Sequence, residues 1–123
     1  MRTVIISRTD AIGDVVLTLP MAKLIKELYK GVKVIFFGRS YTQPVIECCS
    51  EIDEFLNYDE FTKLDVNGKS EFLRLLNAEA IIHVFPRQDI SAAAKSAGIR
   101  MRIGATGRLH HWFNCNRLVR MSR

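Results

Sequence analysis

Residues 3–20 read TVIISRTDAIGDVVLTLP. The first five, TVIIS, are a short apolar run rich in β-branched residues, suited to a strand buried on both faces. From Asp14 to Tyr29 the apolar residues Leu17, Met21, Leu24 and Leu28 recur at i, i+4, i+7 and i+11, the spacing of one helix face. The stretch is therefore a turn from strand into helix, with Gly13 at the hinge. Dinucleotide-binding turns have this outline but carry three glycines at fixed spacing. Here there is one, and a carboxylate, Asp14, follows it. Pro20 is expected to kink the helix or to start its second part. Lys30-Gly31 ends it.

The same alternation runs on through the chain. KVIFF (33–37) reads as a second strand, TQPVIECCS (42–50) as a short helix, and EFLNY (54–58) as a third strand. A polar loop, DEFTKLDVNG, leads to a helix over KSEFLRLLN (69–77). AIIHVF (80–85) is a fourth strand. DISAAAKSAG (89–98) is a helix with Asp89 as N-cap and Gly98 as C-cap. IRMRIGA (99–105) is a fifth strand, and the remainder reads as a loop followed by a helix. Strands alternating with helices predict an α/β fold, a Rossmann-like doubly wound parallel sheet. The expected organisation is one domain, with its sheet in residues 1–105 and a basic loop and helix in residues 106–123.

Composition narrows the class. The chain has 123 residues, 48% apolar and 25% charged, as in an ordinary globular domain. No apolar run approaches the ~20 residues needed to cross a bilayer. The N-terminus is not a signal peptide, because its apolar run is short and a charged turn follows. The three cysteines, Cys48, Cys49 and Cys115, have neither metal-site spacing nor an even count, so a reducing, cytoplasmic setting with structural thiols is expected. Phe36-Phe37 and Cys48-Cys49 are assigned to the core. The three histidines, His83, His110 and His111, form no ligand motif, and no metal is expected. The net charge of +5 is uneven: residues 100–123 hold six arginines and no acid, leaving 12 basic against 13 acidic residues before them. Such asymmetry points to an anionic partner or a basic tail.

In an open parallel sheet, ligands bind beyond the carboxyl ends of the strands. Arg8 and Thr9 follow the first strand, Arg39 the second and Arg87 the fourth. Arg102 is placed near the end of the fifth, with Arg108 beyond it. Arginine grips carboxylate and phosphate with two prongs. The set predicts a crevice for a multiply anionic ligand. Asp14 suits the positive end of its helix. At the mouth of such a crevice it also suits a base that takes a proton from a ligand hydroxyl, held ionised by neighbouring cations.

The segment RTDAIGDVVLTLPMAKLIKELY resembles the opening signature of the glycosyltransferase family 9 heptosyltransferases. AIIHVFPR and RIGATGRLHHWFNCNRLV resemble later segments of the same family, in order. The resemblance implies the N-terminal half of a GT-B enzyme, in which two Rossmann-like domains face each other across a cleft. It implies an inverting, metal-independent transfer of heptose from ADP-heptose to the Kdo/lipid A inner core of lipopolysaccharide. On that likeness Asp14 is the catalytic base, and Gly13 lets acceptor and backbone approach closely. Arg87, Arg102 and Arg108, with His83, His110 and Thr9, are expected to contact the acceptor.

Family members are over twice this length. The sequence therefore reads as the acceptor half, with the nucleotide-sugar domain absent. The expectation is a chain that binds the anionic acceptor, holds no cofactor itself and is inactive alone. The donor would bind the missing C-terminal domain, the chain's natural partner, and a basic surface would favour peripheral contact with the inner membrane. No nucleic-acid partner is expected on this reading. The alternatives are a non-catalytic α/β module binding anions or nucleic acid, and one half of a nucleotide-sugar epimerase.

Overall fold

The computed structural model describes residues 2–85, 87–105 and 117–119. Six strands form one all-parallel sheet in the order β3-β2-β1-β4-β5-β6. They are β1 (Thr3–Ser7), β2 (Lys33–Gly38), β3 (Glu54–Asn57), β4 (Ala80–His83), β5 (Met101–Ala105) and β6 (Arg117–Val119). The helices are α1 (Ile12–Leu28), α2 (Gln43–Glu47), α3 (Tyr58–Phe61), α4 (Val66–Arg74) and α5 (Gln88–Ser96). This is the doubly wound Rossmann order, in which the chain leaves β1 toward one edge and returns beside it as β4.

The central strands are continuous apolar runs because both their faces are covered. On one face Ile5, Ile35, Phe37 and Ile81 pack under Phe61 of α3, Leu73 of α4 and Ile90, Ala93 and Ala94 of α5. The rings of Phe37 and Phe61 meet edge to face at 5.0 Å, and Phe61 meets Phe72 at 5.6 Å. On the other face Val4, Ile6, Val34 and Phe36 pack under Val15, Ala22 and Ile25 of α1 and Ile46 of α2. Gly38 ends β2 where a Cβ would stand 3.1 Å from Thr42 Oγ1 and 3.2 Å from Ile46 Cδ1, so a larger residue there would have to push these two side chains of the 3₁₀ turn and α2 away from the strand. Gly31 and Gly98 follow α1 and α5 at φ +81° and +79°, the left-handed geometry that ends a helix.

Several expectations change. α1 runs unbroken past Pro20, because Pro20 and Val16 both lie on its exposed side. Water can reach the carbonyl that proline leaves unpaired there. The side of α1 that faces the sheet is Val15, Thr18, Ala22 and Ile25, whereas Leu17, Leu24 and Leu28 are 80%, 54% and 65% exposed. The stretch 58–61, read as the last residue of the third strand and the start of a loop, forms α3 because the Asn57 side chain accepts from the Asp59 and Glu60 amides. α4 begins earlier than the apolar pattern suggested, at Val66, because Asp65 caps it by accepting from the Gly68 amide. α5 begins at Gln88 with Arg87 in the cap position, so Asp89 lies in its first turn and is not its cap. Of the C-terminal segment read as loop and helix, residues 117–119 are described, and they extend the sheet as β6, paired with Ile103, Gly104 and Ala105. Leu118 and Val119 suit a strand, and pairing with β5 supplies the hydrogen bonds that a short isolated helix would lack. Cys48 is exposed and Cys49 half-buried, so neither belongs to the core.

Candidate active site

The topological switch point lies between β1 and β4, where ligands of this architecture bind. Its floor is Ser7 and His83, paired across the two strands and both buried. The Ser7 hydroxyl has no hydrogen-bond partner among the described residues. The chain after β1 turns into α1 over Arg8–Ala11, and the chain after β4 leads through Phe85 to Arg87.

Arg87 ties the two sides together. Its Nε donates to Thr9 Oγ1 at 2.8 Å and its Nη2 to the Thr9 carbonyl at 3.4 Å. The guanidinium lies 5.1 Å from the Tyr58 ring centre and 5.0 Å from that of Phe85. Its plane is thus held by two aromatic faces. Thr9 is buried and spends its hydroxyl on Arg87, so it orients the arginine and does not face the crevice. Tyr58 in turn donates its hydroxyl to Asp89 Oδ2 at 2.8 Å. Burial, then the Asp89 carboxylate, push the phenol up to about 12.

Arg8 lies between two carboxylates. Its Nε is 3.0 Å from Asp10 Oδ1 and its Nη2 is 3.4 Å from Asp14 Oδ1. Asp10 is largely enclosed, its backbone carbonyl accepting from the Tyr41 hydroxyl at 3.1 Å. Burial raises its carboxyl above the usual range, and the Asp14 charge adds to this against the pull of Arg8. Asp14 differs, with its side chain 47% exposed at the first turn of α1. It is the carboxylate of this cluster that a ligand can reach. A Cβ on Gly13 would meet no protein atom within 4 Å, so neither packing nor backbone strain requires glycine there.

Arg39 follows β2 and is also matched. Its Nε donates to Asp59 Oδ1 at 2.8 Å, while Asp59 Oδ2 accepts from the Ser40 amide and hydroxyl. The Ser40 hydrogen bonds, ahead of Arg39, hold the Asp59 carboxyl below its usual range.

The structure thus brings Arg8, Thr9, Gly13, Asp14, Arg39 and Arg87 to one edge, but not as an open basin of guanidinium groups. Each arginine already has a partner. Arg102 is not at this edge. It is the second residue of β5, and its Nη1 donates to the Ile99 carbonyl, which precedes the strand, at 2.6 Å. A side chain one residue along a strand leans either way, and here it points back to the amino end. His83 is buried beneath the crevice and is not on its surface. Arg108 and His110 lie outside the described residues. Sequence reasoning missed Asp10, Tyr58, Asp59 and Asp89, the groups that hold the arginines. Only Asp10, two residues from Arg8, offered a local signal. Among the described residues no group of acids, histidines and cysteines could hold a metal ion.

No protein-family model and no curated protein matches the sequence. Solved structures match its fold. The chain superposes on E. coli ADP-heptose lipopolysaccharide heptosyltransferase II with a TM-score of 0.79 and 17% identity, over 99% of this chain and 35% of the other. A glycosyltransferase family 9 structure from Veillonella parvula gives 0.79 and 17%, over 98% and 36%. E. coli heptosyltransferase WaaC with ADP gives 0.76 and 20%, over 98% and 41%. The chain therefore spans less than half the length of the structures it matches. At these identities the likeness is one of fold: an α/β Rossmann-like sheet similar to the corresponding part of heptosyltransferase and glycosyltransferase family 9 structures.

Proposed function

We propose that this chain is the acceptor-binding, N-terminal half of a GT-B glycosyltransferase that moves heptose from ADP-heptose to the Kdo/lipid A inner core of lipopolysaccharide. The observation that carries the reading is the Asp14 carboxylate, half-exposed at the switch point with Arg8 at 3.4 Å. In the transfer, an acceptor hydroxyl gives its proton to Asp14 as its oxygen attacks the anomeric carbon. The bond from that carbon to the pyrophosphate breaks, ADP leaves with the electron pair, and the configuration inverts. Arg8 orients Asp14 and offsets the negative charge that acid sugars bring to the same edge. Arg87, flattened between Tyr58 and Phe85, presents what remains of its guanidinium to the acceptor. The space beside Gly13 admits the acceptor against the backbone. No metal takes part in this scheme. The donor belongs to the part of such enzymes that lies outside the matched 35–43%, and the chain alone binds acceptor without transferring sugar. Work at the cytoplasmic face of the inner membrane suits that acceptor.

Two measurements test the reading. In an NMR titration with a Kdo-bearing lipid A analogue, the amides of Arg8, Gly13, Asp14 and Arg87 are expected to shift. No change at those positions would remove the acceptor role. In the chain joined to a donor-binding domain, Asp14→Asn should lower transfer about 10²–10⁴-fold with acceptor affinity little changed. An undiminished rate would leave Asp14 as a residue that only serves its helix.

A further inference from the structure

Two carboxylates share one arginine at the turn into α1, and they share it unequally. Arg8 turns two nitrogens toward the two oxygens of Asp10. Its Nε lies 3.0 Å from Oδ1, off-axis for a hydrogen bond, and its Nη2 donates to Oδ2 at 3.2 Å. This is the side-on pairing by which a guanidinium holds a carboxylate. Asp14 lies 3.4 Å from the same Nη2, beyond the roughly 2.7–2.9 Å of a charge-assisted hydrogen bond. Exposure follows the same order. The side chains of Arg8 and Asp10 are 19% and 16% exposed, whereas that of Asp14 is 47% exposed. The first two are also anchored through their backbones. The Arg8 amide donates to the Phe37 carbonyl near the end of β2 at 3.0 Å, and the Asp10 carbonyl accepts from the Tyr41 hydroxyl at 3.1 Å. Neither anchor involves Asp14, which stands on the helix.

We propose that Asp10 is a positioning residue for Asp14: by gripping Arg8 from the enclosed side, it keeps the arginine from closing over the Asp14 carboxylate. The inference rests on the reading of Asp14 as the base, since it says why that base stays open. Without the Asp10 charge, Asp14 is the remaining anionic contact of Arg8. The attraction between them already acts at 3.4 Å, and it would draw the guanidinium onto the Asp14 oxygens. The lone pairs that must accept a hydroxyl proton would then be occupied by N–H donors. A carboxylate held in that way is a weaker base. With Asp10 in place, the charge of Arg8 is largely matched on the enclosed side. The uncompensated negative charge of the turn then sits on Asp14, the group that a ligand can reach. Asp10 is unsuited to the base role itself, because it is enclosed and both its oxygens face Arg8.

Carbodiimide coupling of an amine to carboxyl groups tests it, read residue by residue by mass spectrometry on the full chain near neutral pH. Asp14 should couple readily in the parent chain. Asp10→Asn, which is nearly isosteric, should slow coupling at Asp14 about two- to fivefold as Arg8 closes over it, with circular dichroism unchanged. Asp10→Ser, smaller and equally uncharged, should do the same and serves if the Asn variant folds poorly. Adding Arg8→Gln to either variant should return the rate to that of the parent or above, because the closing group is gone. An Asp14 rate that is unchanged or raised on loss of the Asp10 charge overturns the proposal, since a pair that merely fastens the turn would loosen it when broken. So does a double variant as slow as the single one, because the effect would then not pass through the arginine. The measurement needs no acceptor. A failed acceptor reading shows as unshifted amides on titration, and a failed positioning role shows in these coupling rates.

Discussion

The two faces of the sheet solve different problems. The face under α3, α4 and α5 is closed, with Phe37, Phe61 and Phe72 locked ring to ring, and from it Tyr58 reaches up to steady Arg87 at the crevice. The face under α1 and α2 is closed over β1–β3, with Ile82 and Met101 of β4 and β5 packed at its margin and only half-buried, and it supports the crevice through the N-terminal turn of α1. One face supplies rigidity and the other supplies the reachable carboxylate. The contrast shows that apolar character alone does not say which residues are core. Leu73 and Leu24 have the same side chain, yet one is fully buried and the other 54% exposed.

The sharpest way to break this comparison is to truncate one residue on each side. Phe61→Ala is expected to cost about 3–5 kcal/mol in urea unfolding, because a fully buried ring leaves a cavity. Leu24→Ala should stay within about 0.5 kcal/mol, because the side chain is already 54% exposed. Equal losses would mean that Leu24 is buried in the folded protein. A smaller effect separates support from contact at the crevice. Tyr58→Phe keeps the ring under Arg87 but removes the bond to Asp89, for a loss of about 1 kcal/mol. The sign of its pH dependence follows from the raised phenol. Its contribution is fully present below the ordinary tyrosine range near 10 and is lost as pH rises toward about 12. Alkaline unfolding of the Phe variant should lack that component.

Asp59 titrates in the opposite sense. Its carboxyl is depressed, so its hydrogen bonds to Ser40 stabilise above the ordinary aspartate range and fade as pH falls below it. Asp59→Asn should flatten that acid limb of the stability profile. The smallest effect is expected at Gly13. Gly13→Ala meets no protein atom and should raise helix stability by up to about 1 kcal/mol, while lowering acceptor affinity if the space belongs to a ligand. A gain in stability with unchanged affinity would detach Gly13 from the site.

The alternation of strands and helices was legible along the chain, since runs such as TVIIS and KVIFF are too short and too apolar to be anything but doubly covered strands. So was the placing of Gly13 and Asp14 at the first strand-to-helix turn, and of Arg8, Arg39 and Arg87 after strand ends, because these are local matters of order along the chain. Tertiary structure alone decided which side of α1 meets the sheet. The stripe Leu17, Met21, Leu24 and Leu28 has better helical spacing than Val15, Thr18, Ala22 and Ile25. Small and β-branched residues nonetheless allow the helix to approach the strands closely, and periodicity carries no information on that distance. It decided too that Arg102 turns back to Ile99, and that Arg8, Arg39 and Arg87 are held by Asp10, Asp59, Thr9 and Tyr58. Most of those partners follow the ends of other strands, and nothing local in a sequence records which acid will stand beside which base once a parallel sheet has brought its strand ends together.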